Sequence, residues 1–189
     1  MENRWSNKAE ESKVCAVRRK PDAAGHLLFW LPAVAGAGAD LWSKGAAFSF
    51  LKTQPFGQME VVKGFLNLTM VENPGAAFSI ARGQKGLLTG ISIAALVIIV
   101  VAFLIGTARR RLSQAGFGLM AAGIAGNLYD RLFNDGYVRD FIDVYVGSYH
   151  WPTFNVADSL LCIGVALLIW ANFTPKAGQT RNHPHTKEC

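Results

Sequence analysis

The chain has 189 residues, 51% hydrophobic and only 17% charged, with a formal net charge of +6. A soluble domain usually carries about 25% charged residues, so the shortage of charge excludes a disordered chain or a coiled coil and directs attention to a membrane. The basic residues cluster beside apolar runs rather than along a polar face, which argues against a nucleic-acid partner. Cys15, Cys162 and Cys189 are too few and too scattered for a disulfide framework. No Cys/His pair stands at metal-ligand spacing, so neither a metal nor a cofactor is expected.

Residues 1–22 form a polar, basic tail without periodicity, expected to be disordered. Ala23 to Ala39 is then uncharged and predicts a first helix at about 25–44. The small residues Ala35 to Ala39 after an apolar run also fit a cleavable signal peptide. The long polar region before them favours an uncleaved span. Asp40 and Lys44 stand at i and i+4, the spacing of a simple ion pair near the end of that helix.

The outer segment 52–85 mixes apolar residues with Gly, Lys and Asn and predicts a small sheet, a β-cradle on the outer leaflet. It contains Asn73-Pro74-Gly75, a turn signal because Pro fixes φ and Gly accepts positive φ at little cost. Ala76-Ala77-Phe78-Ser79 follows, small enough to let a ligand backbone approach closely.

Gly86 to Ala108 has no charge for 23 positions and predicts a spanning helix at 86–107. Leu112 to Tyr129 predicts a third at 112–132, and Ser159 to Pro175 a fourth at 154–173. Asn127, Asp130 and Arg131 fall at i, i+3 and i+4, a polar stripe near the outer end of the third helix. Arg131 either neutralises Asp130 or points donors into a cavity. The segment 133–153 reads as an aromatic outer loop whose Tyr137, Phe141, Tyr145, Tyr149, Trp151 and Phe154 suit the headgroup layer. Residues 176–189 form a second basic tail.

Basic loops stay cytoplasmic. Lys and Arg precede the first helix, occupy Arg109 to Arg111 and follow the fourth helix, placing both termini inside. That topology brings Asp40, Asp130 and Asp158 to the outer boundary, and Asp140 and Asp143 belong to the same depth. An ionisable group in a span usually faces the bundle interior and marks function. Asp158 is also placed to be a helix-terminal charge favoured by the macrodipole; Asp140 alone would be a solvated loop charge. Together, two close carboxylates share a proton, one acting as base toward water and the other polarising a carbonyl. The rival classes are a proton-coupled transporter or channel subunit, and a structural scaffold. Clustering of the acids at one face, without an internal repeat, favours hydrolysis over transport.

Over residues 25–173 the chain resembles the lipoprotein signal peptidases, the type II signal peptidases. The resemblance rests on Asp40 with Lys44, Asn73 to Ser79, Gly126-Asn127-Leu128-Tyr129-Asp130-Arg131-Leu132, Gly136-Tyr137-Val138-Arg139-Asp140-Phe141, and Phe154-Asn155-Val156-Ala157-Asp158. It implies an all-α membrane protein, an aspartic endopeptidase with four transmembrane helices, an extracytoplasmic β-cradle and a periplasmic loop segment, in the bacterial inner membrane with its active site at the outer face. The implied substrate is a prolipoprotein, cut before a cysteine that carries a diacylglyceryl group, and membrane lipids are the other partners. A monomer suffices. By motif position Asp140 and Asp158 look like the catalytic dyad. Asn73, Gly75, Asn127, Arg131, Asn155 and Ala157 look like the substrate pocket, where globomycin also binds in the family, and Asp40, Lys44 and Asp130 like structural support. Two departures stand out: an additional residue at Asn134-Asp135, and Arg139 where an apolar residue is more usual. A cation there would lower the pKa of Asp140 if the side chains met.

Overall fold

A computed structural model describes residues 20–75 and 84–173. Residues 1–19 of the first tail, the second tail and the Ala76 to Ser79 motif lie outside the described residues; the end of the first tail is ordered, with Asp22 capping the first helix. Within them are four α-helices, α1 (Ala23–Leu51), α2 (Lys85–Leu104), α3 (Arg111–Phe133) and α4 (Val156–Phe173), and four strands, β1 (Gln58–Val62), β2 (Leu66–Asn73), β3 (Val138–Val146) and β4 (Tyr149–His150). The strands form one antiparallel sheet in the order β1-β2-β3-β4.

Two boundaries depart from the sequence reading. The first helix does not end near Lys44 but continues to Leu51. Asp40 and Lys44 neutralise each other inside it at 2.7 Å, so the charges that break the apolar run do not break the helix. The segment 133–153 is also not a loop, because it supplies β3 and β4 and joins β2 in a single sheet.

The helix α3 is central and packs against α1, α2 and α4. Its sequence explains why: Gly123 and Gly126 let backbones close in where a side chain would not fit. A Cβ at Gly123 would collide with the Ala157 carbonyl of α4, and one at Gly126 with the Asp40 carboxylate of α1. Phe29, Ala33, Phe103 and Ala121 form the core that ties α1, α2 and α3, with the Phe29 and Phe103 rings stacked at 4.1 Å. A second cluster of Phe48, Leu51 and Phe141, backed by Met59, Leu68 and Met70, seats the sheet on the far end of α1. Both α2 and α4 are long and apolar enough to cross a membrane. Large apolar side chains on α2, among them Ile91, Val97 and Ile98, stand more than half exposed, an arrangement suited to lipid rather than water.

Candidate active site

Antiparallel pairing of β2 with β3 sets Val71 opposite Asp140 and Asn73 opposite Val138. Side chains two apart on a strand share a face, so Asn73 lies diagonal to Asp140 and donates through Nδ2 to its Oδ2 at 3.0 Å. By the same alternation Arg139 points away from Asp140. Its guanidinium instead meets Asp130 at 2.6 Å and its backbone N–H donates to the other Asp130 oxygen at 3.0 Å. The cation that could have met Asp140 is therefore spent elsewhere.

After β4 the chain returns beside β3, with Ile142 and Phe154 exchanging backbone hydrogen bonds. This delivers Asn155 to Asp140 just as α4 begins. Asn155 caps the helix: its Oδ1 accepts from the Asp158 N–H at 3.0 Å, while Asp158 Oδ2 accepts from the Asn155 N–H at 3.2 Å. The pattern is a reciprocal capping box with Asp at the third helical position. The Asn155 Nδ2 also donates to Asp140 Oδ1 at 2.6 Å and to Asn127 Oδ1 at 3.1 Å. One buried residue thus bonds both carboxylates, Asp140 through its side-chain amide and Asp158 through its backbone N–H.

Asp158 Oδ1 accepts from Asn127 Nδ2 at 2.8 Å. Two N–H donors and a helix N-terminus therefore face this side chain, an environment complementary to negative charge. Asp140 sits on the sheet, almost fully buried. Burial is the main influence on its carboxyl and pushes it up to about 6; the Asn73 hydrogen bond opposes the rise, and the Asp158 charge adds to it.

Asp140 and Asp158 line one cavity of about 710 Å³, together with Asn73, Gly75, Asn127 and Arg131. Arg131 does not form its ion pair with Asp130, whose cations are Lys44 at 3.2 Å and Arg139. It reaches the Gly75 and Asn127 carbonyls, each at 3.3 Å, and its Nε has no hydrogen-bond partner among the described residues. Asn155 and Ala157 are fully buried and stand behind the acids rather than on the described cavity wall. The Ala157 N–H donates to Asp40 Oδ1 at 2.8 Å, so the Asp40–Lys44 pair anchors the first turn of α4. Asp143 is turned to Asn67 and His150 instead of the cavity.

Several wall residues were missed in the sequence. Trp151, Pro152, Thr153 and Phe154 line the cavity, a position implied by their immediate precedence to Asn155. Leu161 and Cys162 follow Asp158 at i+3 and i+4 and share its helix face.

Comparison with known proteins shows the family. The family model for Signal peptidase (SPase) II matches residues 33–174. A lipoprotein signal peptidase of Francisella tularensis subsp. novicida (strain U112) is 36% identical over 156 residues, covering 79% of this chain and 94% of that protein. One from Yersinia pestis (strain Pestoides F) is 43% identical over 113 residues, covering 58% and 66%. A solved structure, described as a bacterial membrane enzyme determined by the in meso method at 2.3 Å resolution, superposes with a TM-score of 0.70 at 31% identity, covering 87% of this chain and 96% of its own.

Proposed function

The chain belongs to the signal peptidase II family, and from that premise we propose that it removes signal peptides from prolipoproteins by an aspartic mechanism, cutting on the N-terminal side of a diacylglyceryl-modified cysteine. The observation that carries the reading is the cavity that Asp140 and Asp158 share, with Asn155 behind it bonding both acids.

Asp140, the desolvated acid, keeps the proton of the pair, and Asp158 is the base. A water between them loses a proton to Asp158 as its oxygen attacks the scissile carbonyl carbon, and the carbonyl oxygen takes the Asp140 proton. The tetrahedral intermediate collapses when the C–N bond breaks and the departing amine takes the proton from Asp158. The second proton, on the former carbonyl oxygen, returns to Asp140 as the new acid product forms. Asn73, Gly75 and Arg131 hold the peptide backbone across the cavity, Arg131 offering donors to its carbonyls.

All four helices span the membrane in this reading, multi-pass in the bacterial inner membrane. The charges on α1 and α3 face the bundle interior, where Asp40, Lys44 and Asp130 are fully buried, as intramembrane charges do. Arg109 to Arg111, between α2 and α3, mark the cytoplasmic side. Both chain ends are then cytoplasmic, and the sheet and cavity face outward, where a membrane-anchored substrate arrives by lateral diffusion. The test is to incubate the purified protein with a lipidated prolipoprotein. The expected result is a mass shift equal to loss of the signal peptide, suppressed by globomycin and absent for Asp140→Asn and Asp158→Asn. Full activity in either variant refutes the mechanism.

A further inference from the structure

Lys44 is fully buried, and the reaction scheme gives it no task. Its Nζ lies 2.7 Å from Asp40 Oδ2 and 3.2 Å from Asp130 Oδ2, and it donates to Asn127 Oδ1 at 3.0 Å. We propose that Lys44 is a positioning residue for peptide hydrolysis: by offering only donors to Asn127, it fixes which end of that amide faces Asp158 and so holds the base in its working geometry. The inference rests on the reading of Asp140 and Asp158 as the reacting pair.

A side-chain amide has one acceptor end and one donor end, whereas an ammonium has donors alone. As the site stands, Asn127 Oδ1 takes hydrogen bonds from Lys44 and Asn155, leaving Nδ2 to donate to Asp158. Turned over, the Asn127 NH2 would face the Lys44 ammonium and the Asn155 NH2, and its oxygen would face the Asp158 carboxylate. Every contact would become donor to donor or acceptor to acceptor. Lys44, together with Asn155 and Asp158, therefore leaves the amide a single orientation.

The ammonium is itself held from several elements. Asp40 is on its own helix and also accepts from Ala157 of α4; Asp130 is on α3 and is gripped by Arg139 of β3. Among the described residues, the other charges around the acid pair are Lys44, Asp40 and Asp130 behind Asn127 and Glu72 and Arg131 on the cavity wall. Lys44 acts on Asp140 as well: burial raises the proton affinity of that carboxyl, and the nearby ammonium opposes the rise.

The test uses the purified full chain and a lipidated prolipoprotein, with wild type and Asp158→Asn run alongside. Lys44→Met combined with Asp40→Asn removes the donors without leaving Asp40 as a buried unpaired charge. The expected result is normal accumulation in the membrane, kcat lowered roughly tenfold to a hundredfold, and KM within about threefold of wild type. The alkaline limb of the kcat/KM profile moves up by about half a pH unit or more. Lys44→Arg, which keeps donor-only character, leaves that limb in place. A double variant with kcat within about threefold of wild type and an unmoved limb overturns the inference. Should the double variant fail to accumulate, the Lys44→Arg profile decides: an unmoved limb supports the role, and a displaced one overturns it. A wild type that leaves prolipoprotein uncut overturns the peptidase reading and this inference with it; an active wild type beside an unaffected double variant overturns this inference alone.

Discussion

Arg139 holds Asp130 through side chain and backbone at once, with Nη2 at 2.6 Å from Oδ1 and the main-chain N–H donating to Oδ2 at 3.0 Å. Because neighbouring strand residues point to opposite faces, that grip keeps a cation away from Asp140 while tying β3 to α3. Arg139→Leu leaves the fully buried Asp130 with Lys44 as its remaining side-chain cation. The expected loss is roughly 1–3 kcal/mol, read as a lower Tm in detergent. A Tm unchanged from wild type would show that the pair carries no net stability.

Removing either acid has a separate signature. Asp140→Asn and Asp158→Asn are each expected to lower cleavage by roughly a thousandfold or more while the protein still accumulates in the membrane. Quantitative immunoblotting beside the cleavage assay separates lost chemistry from lost protein.

The pH dependence has a fixed sign. Asp140 moves from an ordinary 3.8 up to about 6 in the folded protein, chiefly through burial, so between these values the native state holds a proton that the unfolded chain releases. Its contribution to stability is complete below 3.8 and is lost as pH rises through about 6, roughly 3 kcal/mol in total. Asp140→Asn is expected to flatten Tm against pH across this window. On the proposed mechanism kcat/KM in the wild type is expected to fall above about pH 6 as the pair loses its last proton. Identical Tm profiles for the two proteins would contradict the buried-acid account.

Asn155 combines two duties that substitution can separate. Asn155→Ser keeps a capping oxygen for the Asp158 N–H but loses the Nδ2 donor to Asp140 and Asn127. Stability should stay within about 1 kcal/mol while kcat falls roughly tenfold or more. Asn155→Ala is expected to cost about a further 1 kcal/mol as the cap disappears. Equal stabilities for the two variants would remove the capping role.

Glycine substitutions test the packing that brings the acids together. Gly123→Ala drives a Cβ into the Ala157 carbonyl, whereas a Cβ at Gly45 meets open space. The first should destabilise by roughly 1–3 kcal/mol; the second should stabilise by about 0.5–1 kcal/mol, since Ala is the better helix former. Thermal melts of both decide the matter.

The helices were legible because long uncharged runs have one economical arrangement, and the motif acids were legible by position. The extension of α1 was not, since hydropathy counts Asp40 and Lys44 as interruptions although the two cancel at 2.7 Å. Nor was β3: Asp140 faces the cavity on one side while Arg139 and Asp143 find partners on the other, so charged and apolar residues occur on both faces and the two-residue alternation of a half-buried strand is lost. The pairing of Asp130 with Arg139 rather than Arg131 depended on that strand. Asn155 looked like a pocket residue because its motif adjoins Asp158; its burial and its cap follow from the return of the chain beside β3 after β4, which sets where α4 begins.

The capping box makes α4 and its acid a single mechanical part: a change that loosens the first turn also dislodges Asp158. On the proposed mechanism, an inhibitor seated among these polar groups would leave a resistant strain few escapes, since altering Asn127, Asn155 or Asp158 would disarm the enzyme along with the drug. Tolerated change should gather at apolar wall positions such as Val71 and Leu161, and compounds that lean least on those two side chains should keep their potency longest.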